Sequence, residues 1–185
     1  MKSGGALLPE RVLASPVALR RLAPADAAHV QHLAGEREVA EMTALIPHPY
    51  PDGAAEAFVE AQAREWDAGR EYSYAIAAGD DPLVGIVSLR PAPAERENLG
   101  YWIGRPYWGR GYATAALRTM IALGFSLLDV EKLTASHLER NPASGRVMEK
   151  CGMRLIDTGE REHRGAAETF CVRGITREEW ERAVA

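Results

Sequence analysis

The alternation of apolar and polar positions along the chain predicts a mixture of strands and helices. Period-two runs predict strands, and apolar residues spaced three and four apart predict amphipathic helices. The strands fall at 11–22, 72–78, 83–89, 97–105, 131–138, 153–161 and 168–174. The helices fall at 24–35, at 52–66 with Asp52 as the cap, from 112 onward, at 141–152 and from 176 onward. No internal repeat is present, so a single domain is expected.

The stretch from Leu99 to Leu117 changes its period in the middle. Its first part alternates as a strand, and Pro106 ends that strand because proline cannot donate to a sheet ladder. Gly109-Arg110-Gly111 forms a tight loop, and helical spacing begins at Tyr112. The first amides of a helix have no intrahelical partner and lie at the positive end of its dipole. The stretch therefore predicts a strand, a glycine loop and a helix start that suits an anion such as phosphate.

Two familiar phosphate-binding loops fit this stretch poorly. A P-loop requires lysine and then serine or threonine after its second glycine, but Arg110 and Gly111 follow Gly109. A dinucleotide fingerprint requires a third glycine where Thr114 stands. An ordinary turn, with glycines for tightness, is the alternative to a phosphate site.

A second block, residues 141–153, predicts another helix. Asn141 is a good N-cap, and Pro142 stands at the first helical position, which tolerates proline. Val147, Met148 and Cys151 supply an apolar edge, and Gly152 ends the helix.

The net charge, the cysteine content and the length of the apolar runs limit which partners and which cellular compartment are expected. A chain of 185 residues with net charge −4 and no basic stripe does not favour nucleic acid as a partner. Cys151 and Cys171 form no disulfide framework, so a cytoplasmic location is expected. No apolar run reaches the ~20 residues that span a bilayer, so no membrane association is expected. Residues 1–9 are expected to be a flexible leader before a single domain at 10–185.

The two blocks resemble the motifs of the Gcn5-related N-acetyltransferase (GNAT) superfamily, in its RimJ/RimL-like branch of ribosomal-protein N-acetyltransferases. The acyl-CoA loop of that superfamily, Gln/Arg-x-x-Gly-x-Gly/Ala, reads here as Trp108-Gly-Arg-Gly-Tyr-Ala113, with Trp108 departing from the first position. The second motif of the branch, Asn-x-x-Ser-x-x-x-x-Glu-Lys-x-Gly-Phe, matches 141–153 with Met153 in place of phenylalanine. The resemblance covers about residues 16–181. It implies an α+β GNAT fold, with a single mixed, mostly antiparallel sheet of about seven strands, flanked by helices and splayed at the acyl-CoA cleft.

The resemblance implies an acetyl-CoA-dependent N-acetyltransferase that uses no metal and forms no covalent enzyme intermediate. The pyrophosphate of acetyl-CoA is expected on the glycine loop and the pantetheine arm along the preceding strand. The residues implied in binding acetyl-CoA are Trp102, Ile103, Trp108, Gly109, Arg110, Gly111, Tyr112, Ala113, Thr114 and Asn141. For Asn141, a pure capping role is an equal alternative.

Acetyl transfer to an amine needs a group that stabilises the leaving thiolate and a base that deprotonates the amine. The resemblance implies Ser144 as the hydrogen-bond donor to the thiolate, and a plain helix-start serine is the alternative. Relatives often carry glutamate just before Leu-Gly-Tyr, where this chain has Asn98. The base is left open between Glu97, which is one residue earlier, His137, which also suits packing or capping, and an ordered water relay.

By the same resemblance, residues 47–66 lie over the acceptor end of the cleft. The substrate-binding candidates are His48, Tyr50, Phe58 and Trp66, with core packing an equal alternative for Phe58 and Trp66. The acceptor is a primary amine: a protein N-terminal α-amine, as the branch suggests, or a small molecule such as an amino acid or an antibiotic. The C-terminal strand and helix offer an edge for a homodimer.

Two other functions are compatible with the same motifs. A catalytically weak acyl-CoA-binding or sensing module is suggested by the missing consensus glutamate. A nucleotide-binding protein would use the glycine loop for ATP or NAD. Turnover of any amine excludes the first alternative, and binding of CoA but not ATP or NAD excludes the second.

Overall fold

The computed structural model describes residues 8–92 and 98–185, whose strands and helices follow the hydrophobic pattern closely. The strands are β1 (Arg11–Ala14), β2 (Val17–Arg21), β3 (Tyr72–Ala78), β4 (Asp81–Leu89), β5 (Leu99–Ile103), β6 (Lys132–Leu138), β7 (Arg154–His163) and β8 (Ala166–Thr176). The helices are α1 (Ala27–Ala34), α2 (Arg37–Ala40), α3 (Ala54–Asp67), α4 (Tyr112–Leu127), α5 (Pro142–Lys150) and α6 (Arg177–Val184). The predicted α+β class, with antiparallel strands and flanking helices, is confirmed.

The described strands form two antiparallel sheets, where the resemblance implies one sheet. The first sheet has the order β1-β2-β3-β4-β5, and the second has the order β6-β8-β7. The single strand predicted at 11–22 is two strands, because Ser15 and Pro16 form the turn that pairs Ala14 with Val17. Proline cannot donate to a ladder, so a strand does not continue through position 16.

Helices cover both faces of the five-stranded sheet. α4 packs on the face that carries Tyr74 and Ile76 of β3. α1 and α3 pack on the opposite face, which carries Ala75 of β3 and Ile86 of β4. Successive residues of a strand point to opposite faces, so one apolar strand supplies both layers of the core. Among the described residues, no helix has the length and apolarity needed to cross a membrane.

The two sheets meet where the start of β5 approaches the start of β6. Asn98, which is buried, donates from Nδ2 to the Arg90 carbonyl oxygen over 3.0 Å. Its Oδ1 accepts from the backbone amide and the hydroxyl of Thr134, at 3.3 and 3.2 Å. We call these contacts the Asn98 tie. Further along, β5 and β6 belong to different sheets, so they diverge from the tie as the expected splay requires.

The first described residues are packed on the sheet. Leu8 is 2% exposed, and the Tyr74 hydroxyl donates to the carbonyl oxygen of Pro9 over 2.7 Å. The leader predicted at 1–9 therefore does not include Leu8 and Pro9 as flexible residues. Residues 1–7 lie outside the described part of the chain.

Candidate functional site

The glycine loop, residues 104–111, connects β5 to α4. Gly109 and Gly111 have φ angles of +75° and +79°, in the left-handed region that side chains disfavour. A Cβ atom built on either glycine would meet no other atom within 4 Å. Both positions therefore need glycine for the backbone angle, and the space beside them is open.

Two side chains of the loop fold back on the chain. The Trp108 indole donates to the Ile103 carbonyl oxygen over 2.7 Å, while 48% of the residue stays exposed. The Arg110 guanidinium donates to the Pro106 carbonyl oxygen over 3.2 Å and lies 5.6 Å from the ring centroid of Tyr107. Arg110 is itself exposed, so its positive charge stands beside the open space.

The N-terminus of α4 is uncapped by any side chain. Gly111 is the N-cap residue, and its carbonyl oxygen accepts the first helical bond from Ala115 over 3.0 Å. The amides of residues 112–114 precede that bond and have no partner within the helix. α5 and α6 begin with a side-chain cap, whereas α1, α2 and α3, like α4, do not. Open space, unpaired amides and the positive helix end together fit a phosphate group.

β5 presents its side chains alternately to two cores, as predicted. Tyr101 and Ile103 pack with the α4 cluster, and Trp102 packs with the α1 and α3 cluster. The side chains of Trp102 and Ile103 are thus engaged on opposite faces of the sheet. A ligand between the diverging strands would therefore contact mainly the backbone of β5.

The start of α5 follows β6 closely and confirms the predicted cap. Asn141 Oδ1 accepts from the Ser144 amide over 3.2 Å, and Pro142 is the first helical residue. Gly145 lies directly against the His137 ring, since a Cβ there would come within 2.9 Å of two ring atoms. This contact sets the distance between α5 and β6.

The Ser144 side chain is bridged to β5 by Tyr101. The two hydroxyl oxygens are 2.8 Å apart, and the Tyr101 hydroxyl also lies 3.0 Å from the Ser144 carbonyl oxygen. Burial raises the pKa of Tyr101, and this outweighs the opposing effect of the hydrogen bond with Ser144. Ser144 is partly exposed and lies in the first turn of α5, directly after β6.

His137 is buried between β8 and α5. Its Nδ1 lies 2.9 Å from the Leu138 carbonyl oxygen, which can only accept, so Nδ1 carries the hydrogen. Its Nε2 accepts from Arg173 over 3.4 Å, and Arg173 also pairs with Glu149 at 2.6 Å. Both ring nitrogens are occupied. These contacts fit the packing and capping alternative for His137 better than a role as the base.

Glu97 lies outside the described residues. Its neighbour Asn98, which stands where relatives often carry glutamate, is 6% exposed and committed to the Asn98 tie. An amide there both donates and accepts, which a carboxylate does not. The position is therefore used to join the sheets.

The four acceptor candidates do not converge on one place. Trp66 is 2% exposed and packs edge-on against Tyr72 and Tyr74, at centroid distances of 5.1 and 4.8 Å. It is a core residue, in line with the packing alternative. Phe58 is partly buried against the α1 and α3 cluster. His48 and Tyr50 share a cavity of about 340 Å³ whose other lining residues are Gln31, His32, Gly35, Glu36 and Pro49.

The last residue of α2 and the loop after it, residues 40–46, are held by the tip of the β7–β8 hairpin. Arg164, the residue at the tip with φ +54°, donates to the Ala40 carbonyl oxygen over 2.8 Å and also to that of Ile46. The His163 ring Nε2 lies 3.0 Å from the Thr43 carbonyl oxygen. We call residues 40–46 the clamped loop.

Arg140, the residue before the α5 cap, also binds the clamped loop. It donates to the Glu41 carbonyl oxygen over 3.0 Å. It also pairs with Glu168 of β8 at 2.9 Å, and this contact lowers the pKa of that carboxyl. The clamped loop, the hairpin tip and the start of α5 thus form one connected rim.

No role was assigned to Tyr101, Asn98 or Arg140 from the sequence. A signal existed for Tyr101, because a tyrosine in an otherwise apolar strand face needs a partner for its hydroxyl. Asn98 and Arg140 carry no such signal, since their partners are distant in sequence. Across 8–92 and 98–185 there is no group of three or more His, Cys, Asp or Glu side chains that could hold a metal ion.

Comparison with known proteins places this geometry among acetyltransferases. The family model described as "Acetyltransferase (GNAT) domain" matches residues 17–154. A curated protein of Aspergillus fumigatus, FsC-acetyl coenzyme A-N(2)-transacetylase, is 30% identical over 118 residues, which are 57% of this chain and 50% of that protein. The match spans about half the length of that protein and also of a probable N-acetyltransferase of Bacillus subtilis, YjcK, of which it covers 48%.

Solved structures share the fold across nearly the whole chain. The microcin C7 self-immunity acetyltransferase MccE, in complex with acetyl-CoA and AMP, has a TM-score of 0.79 at 17% identity, covering 92% of this chain and 98% of its own. Mycobacterium smegmatis RimJ, in complex with CoA-disulfide, has a TM-score of 0.78 at 22% identity, covering 91% and 88%. At these identities the likeness establishes the fold.

Proposed function

The chain belongs to the GNAT acetyltransferase family, and on that premise we propose that it transfers an acetyl group from acetyl-CoA directly to a primary amine. The observation that carries the proposal is the uncapped start of α4 beside the open glycine loop, next to the divergence of β5 and β6. A phosphate group can bind at the start of α4, and the arm that carries the thioester can lie beside it, between β5 and β6. Membership of the GNAT family favours acetyl-CoA over ATP or NAD as the ligand, since acetyl-CoA carries both a phosphate group and a thioester.

The glycine loop is assigned to the pyrophosphate of acetyl-CoA. The amides of residues 112–114 donate to it, and Gly109 and Gly111 allow the approach because they carry no Cβ. Arg110 adds positive charge at the mouth, and Trp108 and Thr114 border it. The pantetheine arm runs along the backbone of Trp102 and Ile103.

The chemistry is a direct attack of a neutral amine on the thioester carbonyl carbon. The new C–N bond forms, the C–S bond breaks with its electron pair going to sulfur, and one proton passes from nitrogen to the solvent side. A backbone amide of β5 stabilises the developing oxyanion, and Ser144 donates a hydrogen bond to the sulfur. The base is Glu97 or an ordered water, since His137 has both ring nitrogens occupied.

The acceptor amine is proposed to enter by the rim that the clamped loop forms. His48 and Tyr50, which share a cavity, are the acceptor-side residues that we retain. The RimJ/RimL-like motifs at 108–113 and 141–153 favour a protein N-terminal α-amine, and a small amine such as an amino acid or an antibiotic is the alternative. Cys151 and Cys171 are both free thiols, which supports a cytoplasmic setting.

The first experiment measures the melting temperature with acetyl-CoA, CoA, ATP and NAD. A ligand at a hundredfold excess over its Kd stabilises the native state by about 2.7 kcal/mol. We expect that shift with the two CoA species only, and we expect Gly111→Glu to abolish it. Gly79→Glu is the matched control, because Gly79 also has a positive φ (+59°) and no atom within 4 Å of an added Cβ. An equal shift with ATP, or none with CoA, refutes the proposal.

The second experiment follows CoA release with a panel of amines. The panel holds short peptides with free serine, alanine or methionine N-termini, free amino acids and an aminoglycoside. Turnover of any of them identifies the acceptor class. A chain that binds acetyl-CoA but acetylates none of them is the acyl-CoA-binding module instead, an alternative that the commitment of Asn98 to the tie favours.

A further inference from the structure

The hydroxyl of Tyr101 lies within hydrogen-bond distance of two oxygens of Ser144, its side-chain hydroxyl and its carbonyl oxygen. It lies 2.8 Å from the side-chain oxygen and 3.0 Å from the carbonyl oxygen. The carbonyl oxygen has no hydrogen to give, whereas the two hydroxyls are each able to donate. Tyr101 is also fixed in place, because its ring packs against the α4 cluster.

The other contacts of Ser144 leave its own hydroxyl hydrogen uncommitted. The backbone amide of Ser144 is already satisfied by Asn141 at 3.2 Å, so the serine side chain is not the helix cap. A serine in the first turn of a helix otherwise rotates freely or bonds back to its own backbone. A hydrogen bond from Tyr101 to the serine oxygen selects one rotamer and leaves the serine hydrogen pointing elsewhere.

The tyrosine is a poor proton source for the reaction itself. Thiols ionise near pH 8.5 and tyrosine near 10, so moving a proton from tyrosine to a thiolate is unfavourable by about 1.5 pKa units even in water. Burial raises the pKa of Tyr101 further. The hydroxyl therefore stays protonated and can donate a hydrogen bond throughout neutral and mildly alkaline pH.

We propose that Tyr101 is a positioning residue for acetyl transfer: it donates its hydroxyl hydrogen to Ser144 Oγ and thereby aims the Ser144 hydrogen at the leaving sulfur. The inference rests on the proposed function, in which Ser144 serves the thiolate. As the C–S bond breaks, sulfur takes the electron pair and accepts the Ser144 hydrogen bond. Nitrogen loses one proton to the base, CoA leaves as a thiolate that takes its proton from water, and Ser144 and Tyr101 both keep their own protons.

The test is a double-mutant cycle on the amine of the panel that is turned over fastest. Tyr101→Phe removes only the hydroxyl, and we expect it to lower kcat about tenfold, the order expected for one aligned hydrogen bond, with the KM for acetyl-CoA unchanged within twofold. In the Ser144→Ala background we expect Tyr101→Phe to cause no further loss, because the group it positions is gone. Tyr74→Phe is the matched control, since Tyr74 is another buried tyrosine whose hydroxyl donates to a backbone carbonyl, that of Pro9.

The outcomes distinguish a failure of the positioning role of Tyr101 from a failure of the proposed acetyltransferase function. If the two substitutions lower kcat independently, or Tyr101→Phe leaves kcat unchanged while Ser144→Ala lowers it, the positioning role is overturned and the acetyltransferase stands. If Ser144→Ala leaves kcat unchanged, the role of Ser144 fails and the inference fails with it. If no amine is acetylated, the proposed function itself has failed.

A second variant covers the case in which Tyr101→Phe does not fold. Difluorotyrosine at position 101 keeps the ring and the hydroxyl but ionises at lower pH. A tyrosinate cannot donate, so kcat should fall at a lower pH than in the wild-type enzyme. A pH profile identical to that of the wild type overturns the proposal.

Discussion

Asn98→Ala should weaken the junction of the two sheets. The substitution removes the donor to the Arg90 carbonyl oxygen and the acceptor for the amide and hydroxyl of Thr134. Two backbone groups at the junction then lose a partner that water can replace only in part, because position 98 is 6% exposed. An unsatisfied buried polar group costs about 1–3 kcal/mol. Since Arg90 and Thr134 are only partly buried, we expect a loss of about 2–3 kcal/mol in the free energy of unfolding.

The assay is urea denaturation followed by far-UV circular dichroism. Ser73→Ala is the control, because the Ser73 hydroxyl is buried too but, among the described residues, makes one bond, to Gln62 at 2.7 Å, away from the junction. It should lose about 1 kcal/mol. Thr134→Val completes a cycle with Asn98→Ala, and residues that share a network couple by about 0.5–3 kcal/mol. A loss below 1 kcal/mol for Asn98→Ala, or additivity with Thr134→Val, would refute the reasoning that Asn98 holds the sheets together.

Two further predictions concern groups away from the reacting centre. Burial raises the pKa of the Cys151 thiol from 9.0 to about 11, so the folded state keeps this proton at a pH where the unfolded chain has lost it. The contribution of the thiol to the free energy of unfolding is therefore complete below pH 9 and is about 1.4 kcal/mol smaller at pH 10. Denaturation of the wild type and of Cys151→Ala between pH 7 and 10 should show this difference, and parallel curves of stability against pH would contradict it. Arg164→Ala removes the donors to the carbonyl oxygens of Ala40 and Ile46, so amide hydrogen exchange in the clamped loop should speed up severalfold. The exposed Arg182→Ala should leave that exchange unchanged, and equal exchange in both variants would contradict the clamp.

Features that depend on a few neighbouring residues were predictable from the sequence. The cap at Asn141 needs only the residues of the first turn of α5, and the left-handed angles of Gly109 and Gly111 need only the loop itself. The alternation of β5 was readable for the same reason. The cap predicted at Asp52 is wrong by one residue, since Gly53 in the left-handed conformation occupies the N-cap of α3.

Features that depend on partners distant in sequence were not predictable. The role of His137 is decided by Arg173, which follows it by 36 residues and which the pattern does not place beside it. The division into two sheets depends on the join at Asn98, whose partner Thr134 follows a whole helix later. A hydrophobic pattern reports which face is buried and does not report what that face meets.

The order β6-β8-β7 has a consequence for the protein during its synthesis. β8 is the middle strand of its sheet, yet it follows both of its neighbours in the chain. β6 and β7 have no ladder between them, so the three-stranded sheet cannot close until β8 has left the ribosome. At 5–20 residues per second, the roughly 40 residues after β6 take about 2–8 s to emerge. Over that interval all five strands of the first sheet are already synthesised, while β6 lacks the strand with which it pairs in the folded protein.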